Sequence, residues 1–202
     1  MKFLVIDDHV LIRDALRRVL KELRRDAVAE ARTFSERIFE QLLETYLEEC
    51  TNQKGTSHLE LIQRLVVLGG YPESELPNAT PTPGNAVAIA TYRDISRRGA
   101  GCHTLGAGAV EHYYSQLAPK IYEAYTQKYG MSDAQAETYK IHGTMDQTHA
   151  ERAFAILDEA TAAHGWSAIE TSVRDAFVAT SLHYDGMLQA ATGSLEYWNG
   201  RK

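Results

Sequence analysis

Residues 139 to 160 place metal-capable side chains where a helix would bury itself. His142, Asp146 and His149 fall at i, i+4 and i+7, so all three project from one helix face. The same spacing meets Tyr139 on one side and Ala153, Ile156, Leu157 and Ala160 on the other, so the three extend an apolar, core-facing stripe. An ionised carboxylate in a core is costly unless it is paired or holds a metal, and buried imidazoles also need partners. The spacing points to other elements supplying those partners, as a helical bundle around a divalent ion does, the alternative being a solvent-exposed or purely structural stripe. Gly143 interrupts the stripe and costs about 1 kcal/mol relative to alanine within a helix, which is accounted for if something packs closely against the backbone there.

Most of the remaining chain reads as helix. "SERIFEQLLETYLEEC" has Ser35 placed as an N-cap and Ile38, Phe39, Leu42, Leu43, Tyr46 and Leu47 at helical spacing. "SHLELIQRLVVLG" is a second helix, with Ser57 as cap and Gly69 as stop. Four of the five prolines stand in "YPESELPNATPTPGN", which is predicted to be a loop. "AVAIATYRDISRR" is the next helix. It is followed by "GAGCHTLGAGAVEHYYSQLAPKIYEAYTQKYG", whose small residues allow close backbone approach and whose Pro119 predicts a kink. The spacing predicts one longest helix over 132–165, opened by a capping box of Ser132 and Gln135 and closed by Gly165. "SAIETSVRDAFVATSLHYDGMLQAA" is the last helix.

The N-terminus differs in texture. "KFLVID", the helical run "HVLIRDALRRVLKELRR" and "AVAEA" make a βαβ-like opening that resembles the start of a response-regulator receiver domain, with Asp7 and Asp8 as its acidic pair. A receiver also needs a phosphoacceptor aspartate after the third strand, and the strand candidate "RLVVLGG" ends in glycines. Asp7 and Asp8 then read as an acidic turn. The expected division is a receiver-like fragment over 1–36 and a helical metal-binding domain over 37–202.

Composition narrows the partners. The 202 residues suffice for one well-cored domain or a small domain plus a fragment. Two cysteines, Cys50 and Cys102, and no basic-then-apolar leader point to a reducing cytoplasm. No apolar run approaches the roughly 18 residues of a membrane span. With 27 acidic against 21 basic side chains and a net charge of -6, the chain carries no footprint for nucleic acid. The basic cluster between Arg13 and Arg25 reads as a solvated helix face.

Further ligands for a metal are available. His58 opens the second helix, and Glu48 and Glu49 end the one before it, so a short turn brings imidazole and carboxylate to the same end of a helix pair. Glu111, next to His112, sits among Ala, Val and Tyr. Three carboxylates and three imidazoles match a dinuclear iron or manganese carboxylate site. On these features, with H-x3-D-x2-H at His142, Asp146 and His149, the E-E before Gly and "HLEL", and the preceding lone Glu111, residues 37–202 resemble the haem-oxygenase-like diiron oxidases and oxygenases, related in fold to thiaminase II and the pyrroloquinoline-quinone synthase. The resemblance implies a mainly α, haem-oxygenase-like bundle. It implies two non-haem irons, with manganese as the alternative, held by Glu48, His58, Glu111, His142, Asp146 and His149; Glu49 is the alternative to Glu48. It further implies an oxidoreductase that activates O₂ to oxidise a small substrate such as an amino acid, an amine or a fatty acid, without haem. Relatives begin with further helices where this chain has its receiver-like segment. Either the helix over 9–25 replaces one of them or the chain is a fusion, and a homodimer would cover the apolar surface left open.

Two other readings compete: a signalling or interaction protein built around the receiver-like segment, and a metal-free small-molecule binder of the same fold. Cys102 as a thiaminase-like nucleophile would leave the buried stripe unexplained. His103, His112, His164 and His183 read as core, cap or surface residues, His164 suiting a helix C-terminus and His183, with Asp185, a pocket wall. The tyrosines between 113 and 139 would be core or substrate cavity.

Overall fold

A computed structural model of the chain describes residues 36–52 and 55–193. The receiver-like segment, 1–36, lies outside them but for its last residue. Among the described residues there is no strand: α1 (Glu36–Cys50), α2 (His58–Leu68), a 3-10 turn (Glu73–Asn78), α3 (Pro83–Arg97), α4 (Ala100–Gln127), α5 (Glu137–Phe154), α6 (Leu157–His164) and α7 (Trp166–Thr192) follow in order. No helix among these residues is long and apolar enough to cross a membrane.

The axis of the bundle is α4, and its small residues decide what lies against it. Gly108 faces Ala153 of α5, where an added Cβ would come within 2.2 Å of the alanine methyl; Gly101 faces Ala160 of α6, and Gly106 the Ser172 carbonyl of α7. Farther along, the Pro119 ring lies 3.0 Å from where a Cβ on Gly143 would be, so the glycine inside the metal-capable stripe makes room for a proline ring. Gly108 opposite Ala153 and Pro119 opposite Gly143 set α4 and α5 antiparallel. The predicted kink at Pro119 does not divide the element, because α4 continues through it to Gln127.

Three sequence expectations are corrected. The single helix predicted over 132–165 is two helices, since the chain tightens at Ala155 and Ile156, where Ile156 N–H bonds the Ala153 carbonyl at 3.2 Å before α6 resumes. No glycine or proline signals the break. Tertiary packing causes it, because the turn drives Ile156, fully buried, between Ile38 and Ala100. The capping box does form: Gln135 N–H bonds Ser132 Oγ at 3.3 Å and Ser132 N–H bonds Gln135 Oε1 at 2.9 Å. It closes a turn just before α5, whose first residue is Glu137. Gln135 Nε2 also donates to the Leu68 carbonyl at 3.2 Å, tying this turn to the end of α2. The proline-rich loop is likewise partly ordered, as the 3-10 turn and the first residues of α3, with Pro83 at the tolerated first position.

The start of α3 crosses α7 at close range. Gly84 and Gly186 approach so nearly that a Cβ on Gly84 would lie 2.6 Å from the Gly186 nitrogen. Buried polar groups secure the crossing: Gly84 N–H bonds Gln189 Oε1 at 3.0 Å, and His183 Nδ1 lies 2.8 Å from Asn85 Oδ1.

Candidate metal centre

The connection between α1 and α2 brings Glu49 to His58. Asn52 Oδ1 accepts the Ser57 N–H at 3.0 Å, and Ser57, in extended conformation, caps α2 by accepting the Glu60 N–H at 3.2 Å. The turn thus folds the first residue of α2 back onto the last turn of α1. His58, buried, places Nδ1 2.6 Å from Glu49 Oε1.

The stripe on α5 meets that pair from across the bundle. The His58 ring lies 4.5 Å from that of His142 and 5.9 Å from that of His149. Glu49, His58 and His142 offer ligand atoms all within 4.8 Å of one another. The Nδ1–H of His142 donates to the Thr138 carbonyl at 2.6 Å, one turn back along α5, which directs the ring's lone pair to Nε2. Asp146 and His149 are buried between α5 and its neighbours. Nδ1 of His149 stands 3.6 Å from Glu49 Oε1 and 3.6 Å from Glu111 Oε1, beyond hydrogen-bond reach of both. It is a buried nitrogen with no hydrogen-bond partner, aimed between two carboxylates.

All six positions singled out from sequence converge here, but the two adjacent glutamates divide. Glu49 faces the imidazoles. Glu48 turns to the other side of His149, where its Oε2 accepts Nε2–H at 2.9 Å and its two oxygens take a bidentate grip from Arg152 at 2.6 and 3.2 Å. Arg152 had no place in the sequence reading. Its position one turn beyond His149 on α5, opposite the acidic end of α1, is the signal that could have found it.

The electrostatics of the cluster are those of too much negative charge in too little water. Burial raises Asp146, and the nearby Glu111 and Glu49 add to it, taking its pKa to about 9 against the opposing effect of His149. For His149 burial acts against the charged form, but Glu111, Glu49 and Glu48 prevail and lift it to about 9. Burial would raise Glu49, yet the hydrogen bond from His58 and the charges of His58, His142 and His149 bring it down to about 2. Burial opposes ionisation of Glu48 as well, and Arg152 with His149 still holds it below the ordinary carboxylate range. In the absence of a cation, protons on Asp146 and His149 balance the carboxylates.

The donor set fits iron. Imidazole nitrogens and carboxylate oxygens from α1, α2, α4 and α5 are the ligands iron accepts in helical bundles, and the unpartnered Nδ1 of His149 is the atom a cation would complete. Glu49 Oε1 lies 2.6 Å from His58 Nδ1 and 3.6 Å from His149 Nδ1.

Other candidates fall outside the cluster. Cys102 is fully buried with Leu105, Ala160 and Ile169, without the exposed, electropositive surroundings of a reactive thiol. His103 bonds Ser96, exposed His112 lies against the Phe154 ring, and His164 ends α6 with its ring beneath Gly99. A cavity of about 360 Å³ between α4, α5 and α7 is walled by Tyr114, Tyr125, Tyr139 and Tyr184 among others, with His183 in its lining, whereas Asp185 is exposed. Of its walls, Tyr114 is one turn from Glu111 on α4 and Tyr139 one turn from His142 on α5.

A model of the iron-containing redox enzyme family matches residues 12–183. The chain belongs to that family. The match takes in every described helix, α7 as far as residue 183, and its beginning at residue 12 extends into the N-terminal segment. No curated protein and no solved structure matches the chain. Membership in an iron-containing redox family makes this chain an iron-linked redox protein on a mainly α, haem-oxygenase-like bundle.

Proposed function

We propose that this iron-containing redox enzyme is a non-haem diiron oxidase or oxygenase that uses O₂ to oxidise a small substrate. The observation that carries the proposal is the nitrogen of His149, buried and without a hydrogen bond, held 3.6 Å from carboxylate oxygens of both Glu49 and Glu111. A cation bound among them would satisfy all three at once. Glu49, His58 and His142 would hold one iron, and Glu111, Asp146 and His149 the other, with Glu49 close enough to serve both; Glu49 here takes the place the resemblance offered to Glu48. When bound, the irons would activate O₂, which takes up the electrons removed from the substrate, and manganese is the alternative metal.

The chain's own residues do the rest. Thr138 fixes the tautomer of His142, so that Nε2 is the basic nitrogen. Asp146 and His149 carry the protons that metal binding must displace, because ligands bind deprotonated. The tyrosine-walled cavity would receive the substrate, its apolar rings excluding water and its hydroxyls orienting polar groups. Tyr114 and Tyr184 join hydroxyls at 2.6 Å across α4 and α7, holding that wall together.

The test is elemental analysis after aerobic Fe(II) loading of the wild type and of a His142→Ala, Asp146→Ala double variant. About two irons per chain, lost in the variant, is the expected result. O₂ consumption with candidate amino acids, amines and fatty acids then identifies the substrate class. No iron in either protein overturns the proposal.

A further inference from the structure

We infer that Glu48 and Arg152 are a positioning pair: Arg152 clamps Glu48, and Glu48 holds Nε2 of His149 so that Nδ1 faces the metal. The inference rests on the diiron reading above and assigns a role to two residues outside its ligand set. Three observations carry it. Glu48 Oε2 accepts two hydrogen bonds, from His149 Nε2 at 2.9 Å and from Arg152 at 2.6 Å, while Oε1 takes the second arm of the guanidinium at 3.2 Å. Both oxygens are thereby engaged, in a side chain only 10% exposed. The other nitrogen of the same ring is the one without a partner, aimed at Glu49 and Glu111.

The geometry has a direct physical meaning. A planar guanidinium gripping a carboxylate through two parallel bonds fixes its rotation, which a single ammonium contact would not. A carboxylate fixed in that way fixes the ring that donates to it. His149 and Arg152 stand one turn apart on α5, so both reach the same residue of α1, and the clamp also joins the two helices. An outer carboxylate on a ligating imidazole sets its tautomer and raises its basicity, and losing such a contact costs about 10–100-fold in metal affinity.

Anaerobic Co(II) titration of the full chain, read by its visible d–d bands, tests this without turnover. Glu48→Ala and Arg152→Met should each weaken Co(II) binding by about 10–100-fold without reducing the number of ions bound. The double variant should be little worse than Glu48→Ala alone, since both act through one contact. Glu48→Gln, whose amide oxygen still accepts from Nε2, should recover most of the affinity. Thermal melts of the metal-free variants control for folding, and Glu48→Gln keeps the test open if the alanine variant does not fold. Wild-type affinity in Glu48→Ala would overturn the inference. So would loss of a bound ion in Glu48→Gln, which would make Glu48 itself a ligand. A wild type that binds no Co(II) and no iron fails the diiron reading instead, a separate result from either.

Discussion

His103 and His149 are two imidazoles within one bundle whose surroundings push them in opposite directions. His103 lies in the α3 and α4 interface with its Nδ1 2.9 Å from Ser96 Oγ and no carboxylate among the causes of its shift, and burial takes its pKa down to about 4. His149 meets the same penalty from burial, but Glu48, Glu49 and Glu111 reverse it and its pKa rises to about 9. Removal from water therefore does not by itself set the charge of a buried histidine. The anionic groups brought to it from other helices do.

The comparison is broken most severely by taking away an anion. Glu49→Ala should cost more metal affinity than the about 10–100-fold expected of an outer contact, while His103→Gln should leave iron content unchanged, both measured by elemental analysis and titration. Equal losses would place the two histidines in one class.

Gly108 stands on α4 between the two regions, where a side chain would strike Ala153 of α5. Gly108→Val should destabilise the bundle by about 1–3 kcal/mol, a fall of roughly 2–4 °C in Tm for each kcal/mol at this chain length. Calorimetry checks it, and metal affinity should weaken along with stability because Glu111 lies one turn farther on the same helix.

The two regions should also fail at opposite ends of the pH range. His103 binds its proton less readily when folded, so its contribution is lost as pH falls from 6.5 through about 4. Asp146 and His149 bind theirs more readily when folded, Asp146 from pH 3.8 and His149 from pH 6.5, each up to about 9, so the metal-free protein loses stability as pH rises through that range, most steeply above 6.5 where both act. Melting curves should show His103→Gln flattening the acid limb and Asp146→Asn with His149→Asn flattening the alkaline one, each by a few degrees.

The smallest effect is expected at Gly143. Alanine there gains about 1 kcal/mol of helix propensity but presses a methyl to within 3.0 Å of the Pro119 ring, so the net change should stay within about 1 kcal/mol. A larger loss would show that α4 and α5 cannot yield at that contact.

Much of the fold was legible because helical periodicity and caps are local. Ser57 caps α2 as its place before "HLEL" suggests, and Ser132 with Gln135 makes its reciprocal box. The break at Ile156 was not legible, since what causes it is a contact with Ile38 and Ala100, far away in the chain. Gly143 was read correctly as a close approach, but the partner, Pro119, is known only from how α4 lies against α5.

By itself the sequence determined that His142, Asp146 and His149 share one helix face and that this face continues into core, because the i, i+4, i+7 spacing is a property of the helix alone. It also determined which other residues could join them, since His58, Glu111 and the pair Glu48 and Glu49 stand out by type and neighbours. Only the tertiary structure shows which way each of the two glutamates turns. Adjacent residues on a helix are rotated by about 100° from one another, so a cluster on one side can receive one of them while the other meets whatever stands beside it. Arg152 stands there, and that contact turns Glu48 to the back of His149 and leaves Glu49 facing the imidazoles.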